Sequence, residues 1–295
     1  MCKPDESCVA FPNDIDYNGF SFHLEREETV MLPDYHLHTD FSGDSTTPPR
    51  AQIERAIQLG MDSLCITDHH DYDVESIIDF NLDLDPYMSS LTRLQEEYKD
   101  RIDVRIGIEL GLQMHLSDYF YSLLAETPFD FIIGSSHLVH GYDPYYPEFF
   151  EGRKEFYCYM EYFESILENI SVYDGFDVYG HIDYVVRYGP EKNRQYSYGR
   201  YKDILDEILK RLIFMGKGIE LNTGGDHYGL GEPNPCVAVI RRYRELGGEI
   251  ITIGADAHTP DKVAYAFDRA ACVLEDCGFR YYTVFKNRHP EFISL

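Results

Sequence analysis

From Met31 onward one unit recurs along the chain: a short apolar, β-branched run ends in a polar cluster, and a longer stretch with helical period follows. The runs end near Tyr35, Ile66, Ile108, Gly134, Tyr179, Leu221 and Ile253. The period predicts helices over Pro49 to Leu59, Tyr87 to Tyr98, Leu116 to Ala125, Lys154 to Ile170, Tyr201 to Met215, Cys236 to Leu246 and Ala264 to Ala271. Prolines open the first of these and Gly60 closes it. The segment FRYYTVFK near the end reads as one more strand. Alternating strand and helix requires parallel strands joined by covering crossovers. Seven such units suit a closed barrel or a large open sheet, and periodicity does not choose between them. No long linker or low-complexity segment interrupts residues 31–295, which reads as one domain, preceded by an acidic, weakly patterned extension over residues 1–30.

Charge narrows the partners. The 295 residues carry 52 acidic side chains against 26 Lys plus Arg, a formal net charge of −26. That disfavours a non-specific nucleic-acid binder, which needs a basic face, and an anionic membrane surface. A 44% hydrophobic and 15% aromatic content is too apolar for a disordered chain. No apolar run approaches the roughly 18 residues that span a bilayer. The start lacks a basic stretch followed by an apolar core, so no secretory signal is expected. Seven scattered cysteines without a C-x-x-C pair suit a reducing cytoplasm, and Cys272 and Cys277 are expected to be buried packing. The tyrosines at 142, 145, 146, 157, 159 and 162 are likewise expected to pack.

Chemistry collects where the strands end. The junctions read YHLHTDFSGDS, ITDHHD, GIELG, GSSHLVHG, YGHIDY, IELNTGGDHYG and GADAHT. Nine of twelve histidines lie in these segments, seven of them at the junctions themselves and two, His140 and His227, just beyond; His23, His115 and His289 lie off the pattern. In a parallel α/β domain these ends share one face. His36 and His38, and Asp256 and His258, are spaced two apart, so each pair points one way from its strand. The two pairs would be neighbours if the sheet closes. Imidazole and carboxylate without cysteine suit a catalytic site for Zn²⁺, Mn²⁺ or Fe²⁺.

HLHTDFSGDS, TDHH, GIELG, SSH, GHID, ELNTGG and GADAH, in this order from about Pro33 to Thr259, resemble the polymerase-and-histidinol-phosphatase (PHP) family of metal-dependent phosphoesterases. LNTGG with LGEPNP, and ELGGEITIGADAH, are most similar to its histidinol-phosphatase branch. The resemblance implies a distorted, TIM-like (β/α)7 barrel with three divalent metal ions at the C-terminal strand ends. His36, His38 and Asp256 would hold the first, and Glu109 would bridge it to a second completed by His137 and His181. Asp44, His69 and His258 would hold the third. Other members place a histidine at the position of Asp44; the harder carboxylate favours Mn²⁺ or Fe²⁺ over Zn²⁺ there. His70 is read as supporting rather than ligating.

The implied activity is hydrolysis of L-histidinol phosphate, a small phosphorylated substrate, by attack of a metal-bound hydroxide, in the cytoplasm and in histidine biosynthesis. Arg187, six residues after His181, would orient the phosphate. Histidinol phosphatases of this type usually carry a second basic residue after LNT-x-G, where this chain reads GGDHYG. His227 would replace it, binding phosphate or protonating the leaving alcohol; Arg194 is another source of charge, and Asp226 and His140 are rivals for the organic moiety. Hydrolysis of another small phosphorylated metabolite or nucleotide is the alternative; a 3′ exonuclease and a non-catalytic metal-binding scaffold are weaker fits. Association of identical chains stays open.

Overall fold

A computed structural model describes residues 32–74 and 78–295; the expected extension over residues 1–30 lies outside the described residues. The central sheet is built from β1 (Asp34–Leu37), β2 (Ser63–Ile66), β3 (His69–His70), β4 (Asp103–Gly111), β5 (Phe131–Ser135), β6 (Val178–Tyr179), β7 (Gly218–Asn222) and β8 (Ile251–Gly254). Every pairing in it is parallel, in the order β1-β2-β4-β5-β6-β7-β8. The strands are short and almost wholly buried, as expected where helices cover the outer face. β4 is the exception in length. Its first half pairs with β2, and its second half with β3, after the chain leaves the ladder at Thr67 and Asp68. Glu109, expected in a junction, thus lies within a strand, opposite His69.

The barrel closes between β1 and the segment after β8. Leu37 and Ala257 form a parallel bridge; the His38 N–H donates to the Ala257 carbonyl at 3.0 Å, and the Ala257 N–H to that of His36 at 3.3 Å. Asp34 reinforces this seam by accepting backbone N–H groups from Ala255 (2.9 Å), Ala264 (3.0 Å) and His36 (3.2 Å).

Around the barrel lie α1 (Pro49–Gln58), α2 (Leu84–Tyr98), α3 (Ser117–Glu126), α4 (Glu155–Val172), α5 (Lys202–Phe214), the single turn α6 (Gly224–His227), α7 (Val237–Glu245) and α8 (Phe267–Asp276). Their inner faces follow the helical period: Tyr87, Leu91, Leu94 and Tyr98 on α2, and Leu205, Ile208, Leu209 and Leu212 on α5, are buried. The expected last strand is β9 (Tyr281–Lys286), which folds back into an unforeseen partner, β10 (His289–Ser294). This hairpin covers the N-terminal end of the barrel. Phe285 accepts the Tyr35 hydroxyl, and Arg288 reaches Asp177 ahead of β6. The opposite end is left for the site.

Two packing expectations are corrected. Cys277 is buried, but Cys272 stands on the outer face of α8. Tyr159 and Tyr162 are core residues, whereas Tyr142, Tyr145, Tyr146 and Tyr157 are exposed.

Candidate metal centre and adjoining cavity

The C-terminal strand ends bring all nine expected ligand residues together around one buried carboxylate. Glu109 Oε2 lies 3.1 Å from His36 Nε2, 3.6 Å from His38 Nε2 and 3.0 Å from His69 Nδ1. Glu109 Oε1 lies 2.9 Å from His181 Nε2 and 3.3 Å from His137 Nε2, and accepts the Ser135 hydroxyl. On the closing side, Asp256 Oδ1 is 3.3 Å from His38 Nε2 and 3.8 Å from His36 Nε2. Asp44, carried by the loop after β1, places Oδ2 2.9 Å from His258 Nε2 and 3.6 Å from His69 Nε2. Residues more than 200 positions apart thus meet because the sheet closes on itself.

The histidine tautomers are set from behind. His36 Nδ1 is 2.6 Å from Glu220 Oε1, and His137 Nδ1 is 2.7 Å from Asp71 Oδ1. His258 Nδ1 meets the Asp256 carbonyl. His38 Nδ1 faces the Ser42 hydroxyl, whose proton goes to Asp68, so the imidazole donates. Each of these rings therefore turns an Nε2 lone pair inward, toward carboxylate oxygens that also carry only lone pairs. Acceptor faces acceptor. Accordingly His36 Nε2, His38 Nε2, His69 Nδ1 and Glu109 Oε2 are buried without a hydrogen-bond partner. Buried orphans of this kind are costly, and divalent cations are the groups that would satisfy them. Four triads bring one ligand atom per residue close enough to share an ion: His36/His38/Asp256, His36/Glu109/His181, His38/His69/His258 and His69/Asp71/His137.

The cluster draws in positive charge: burial opposes protonation of His36 and His137, yet the carboxylates around them raise both well above the ordinary imidazole value, so protons take, in the absence of ions, the charge that bound cations would carry. Burial would raise Glu109, but His36, His69 and His137 hold it well below the usual carboxylate range. Burial likewise opposes Asp256, and His36 and Arg187 hold it ionised. His38 is pushed down to about 3 by burial, reinforced by His69 and His258, so its imidazole is neutral and able to ligate.

Three supporting carboxylates were not singled out in the sequence. Glu220 interrupts an apolar strand, Asp71 ends the TDHHD run, and Asp68 lies inside it. Besides His36, Glu220 accepts the His181 N–H at 3.0 Å and Asn222 Nδ2 at 3.1 Å. Asp68 accepts Thr39 N–H, its hydroxyl and that of Ser42, which fixes the loop after β1. Gly254 lets β8 pass close by: a Cβ there would lie 2.3 Å from Glu220 Oε1 and 2.4 Å from the His36 Cβ. His70 is supporting, as expected: its ring joins Tyr119 (2.8 Å) and the Leu82 N–H, and burial pulls it to about 4.

Beside the centre opens a cavity of about 220 Å³. Arg187 lines it while being only 3% exposed. Its Nε donates to Asn234 Oδ1 (2.8 Å), Nη1 to Asp256 Oδ2 (2.8 Å) and Nη2 to Asn222 Oδ1 (3.0 Å). The rings of Tyr184 and Tyr228 flank the guanidinium. One N–H on each terminal nitrogen remains. The other expected substrate contacts are not brought here. His227 is exposed on α6 with its ring edge-on to Tyr228 and Tyr265, because the turn points it away from the cavity. Asp226 pairs with Arg269, Arg194 with Glu191, and His140 with Glu168; none lines the cavity.

Comparison with known proteins fits this geometry. The PHP domain family model matches residues 34–224. A histidinol-phosphatase of Lactococcus lactis is 31% identical over 253 residues, covering 85% of this chain and 93% of that one. A histidinol-phosphatase of Saccharomyces cerevisiae is 22% identical, over 82% of this chain and 88% of its own. Among solved structures, the histidinol phosphate phosphatase of Lactococcus lactis complexed with zinc, L-histidinol and phosphate superposes with a TM-score of 0.83 at 29% identity, covering 89% of this chain and all of that one. With a family model spanning most of the barrel, and the barrel and its histidine-carboxylate centre in place, this chain belongs to the PHP domain family.

Proposed function

We propose that this protein is a metal-dependent phosphomonoesterase that hydrolyses L-histidinol phosphate to L-histidinol and phosphate. The observation that carries the reading is the set of buried, inward-facing ligand atoms around Glu109, opening onto a cavity walled by Arg187. The Lactococcus lactis relative, complexed with zinc, L-histidinol and phosphate, supports the substrate.

His36, His38 and Asp256 would hold one ion, His137 and His181 a second with Glu109 between the two, and Asp44, His69 and His258 a third, as zinc, iron or manganese. Divalent ions bound there supply an activated water and neutralise charge on the phosphoryl oxygens. The chain's own residues do the rest. Glu220 and Asp71 hold His36 and His137 in the ligating tautomer. Arg187 keeps Asp256 ionised and in place, and its two remaining N–H groups are available to a phosphate oxygen pair. Asn222 and Asn234 hold the guanidinium so that little side-chain entropy is lost when phosphate arrives.

The test is phosphate release by protein loaded with Mn²⁺ or Zn²⁺. L-histidinol phosphate is expected to turn over much faster than p-nitrophenyl phosphate, and Glu109→Gln is expected to lose both bound metal and turnover. Equal rates on the two esters would remove the substrate assignment. A Glu109→Gln protein of full activity would remove the metal centre.

A further inference from the structure

Four aspartates line the cavity: Asp44, Asp71, Asp143 and Asp256. Three are committed, Asp44 to His258, Asp71 to His137 and Asp256 to Arg187. Asp143 is different. It arrives through a reversal after β5, in which His140 and Gly141 both have positive φ (50° and 86°) while Val139 and Tyr142 exchange their N–H···O bonds at 2.8 and 2.9 Å. Two central residues of positive φ make the tight turn that sends the chain straight back, and glycine adopts that conformation without strain. A second turn follows at once. Asp143 Oδ1 accepts the Tyr145 N–H at 2.7 Å, and the Asp143 carbonyl accepts that of Tyr146 at 3.1 Å. The carboxylate is therefore fixed by backbone, and Oδ2 has no hydrogen-bond partner among the described residues.

Aromatic rings stand beside it. Tyr145 meets Tyr188 edge-on at 5.4 Å and Tyr146 at 5.1 Å, and all three line the cavity. The faces of Tyr184 and Tyr228 are already occupied by Arg187. A fixed carboxylate next to unoccupied aromatic surface is a setting for a cation. It is also a liability for an indiscriminate phosphatase, because it repels an anionic ester entering the cavity. The liability becomes an advantage when the far end of the ester is positive. Burial raises the Asp143 carboxyl above its ordinary value, a desolvation cost that a bound cation would offset.

We infer that Asp143 is the specificity residue of this site, accepting a hydrogen bond from a cationic nitrogen on the substrate's alcohol moiety, with Tyr145 and Tyr188 as the adjoining walls. This deepens the reading above and rests on it, since L-histidinol phosphate carries a primary ammonium beside its imidazole.

The experiment compares wild type and Asp143→Asn, metal-loaded, on L-histidinol phosphate, on p-nitrophenyl phosphate, and on the matched pair phosphoethanolamine and ethyl phosphate, which differ by an ammonium group. Loss of one charge-assisted hydrogen bond corresponds to a roughly ten- to hundredfold fall. The ratio of kcat/KM for L-histidinol phosphate over p-nitrophenyl phosphate is expected to fall by that factor, mainly through KM. The wild-type preference for phosphoethanolamine over ethyl phosphate is expected to vanish with it. Should Asp143→Asn fail to fold, Asp143→Ser keeps an acceptor for the Tyr145 N–H and serves in its place. A variant that retains both preferences overturns this inference while leaving the substrate reading intact. A wild type that does not favour L-histidinol phosphate overturns the substrate reading itself.

Discussion

Glu220 does not reach the cavity, yet it orders the buried His36 and two groups that line the cavity, His181 and Arg187. It fixes His36 through Nδ1, takes the backbone N–H of His181, and through Asn222 steadies Arg187. Removing such a supporting carboxylate typically weakens metal binding by about 10- to 100-fold. Glu220→Ala is expected to lose metal affinity in that range, read by titration calorimetry with Mn²⁺ or Zn²⁺, and Glu220→Gln, which keeps an acceptor for His36, is expected to recover part of it. Wild-type affinity in the alanine variant would show that His36 needs no orienting partner. At this scale the candidate ligands were legible, because His36 and His38, or Asp256 and His258, combine a side chain able to ligate with a spacing that fixes its direction. Glu220, Asp71 and Asp143 were not, because their significance is a partner's position rather than their own type.

Among the elements, α5 and α7 are tied by Asp206 and Arg242. Arg242 Nε and Nη2 donate to the two carboxylate oxygens at 2.9 and 2.8 Å, and Tyr198 donates at 2.6 Å. Arg242 holds the Asp206 carboxyl down at about 2, below its ordinary 3.8. A carboxylate with a depressed folded-state value stabilises above its unfolded value and loses that contribution as pH falls through the folded one. In urea unfolding of metal-free protein, the advantage of wild type over Arg242→Leu is therefore expected to be complete near pH 6 and to shrink below about pH 4. A gap that stays constant down to about pH 3 would mean that the arginine stabilises by packing alone. The helices themselves were readable, since an apolar face at helical spacing is a local pattern. β10 was not: its six residues are exposed, so no alternation of burial marks it, and only pairing with β9 makes it a strand. β4 runs further than expected because β3 supplies a late partner for its second half.

For the molecule as a whole, the seam is decisive. Asp34 holds three backbone N–H groups where β1 meets the end of β8, and it is fully buried. Leaving buried donors unsatisfied costs about 1–3 kcal/mol each, so Asp34→Ala is expected to lower stability by roughly 2–5 kcal/mol in denaturant unfolding, after partial relaxation. A loss below about 0.5 kcal/mol would place the closing force elsewhere. The same variant is expected to weaken metal binding, since Asp256 and His258 reach His36 and His38 only across this seam.

The sequence by itself determined the alternation of strand and helix, the parallel sheet, and a set of side chains able to ligate gathered at strand ends, because periodicity and residue chemistry are local properties. Its net charge of −26 also disfavours a polyanionic partner held by bulk attraction. Only the tertiary structure decided that the sheet closes, that the inward lone pairs of His36, His38 and Glu109 face one another, and that Asp143 rather than His227 stands at the cavity. Those outcomes depend on distances between residues far apart in the chain, which are set by strand register and by the turns that return each loop over the barrel mouth.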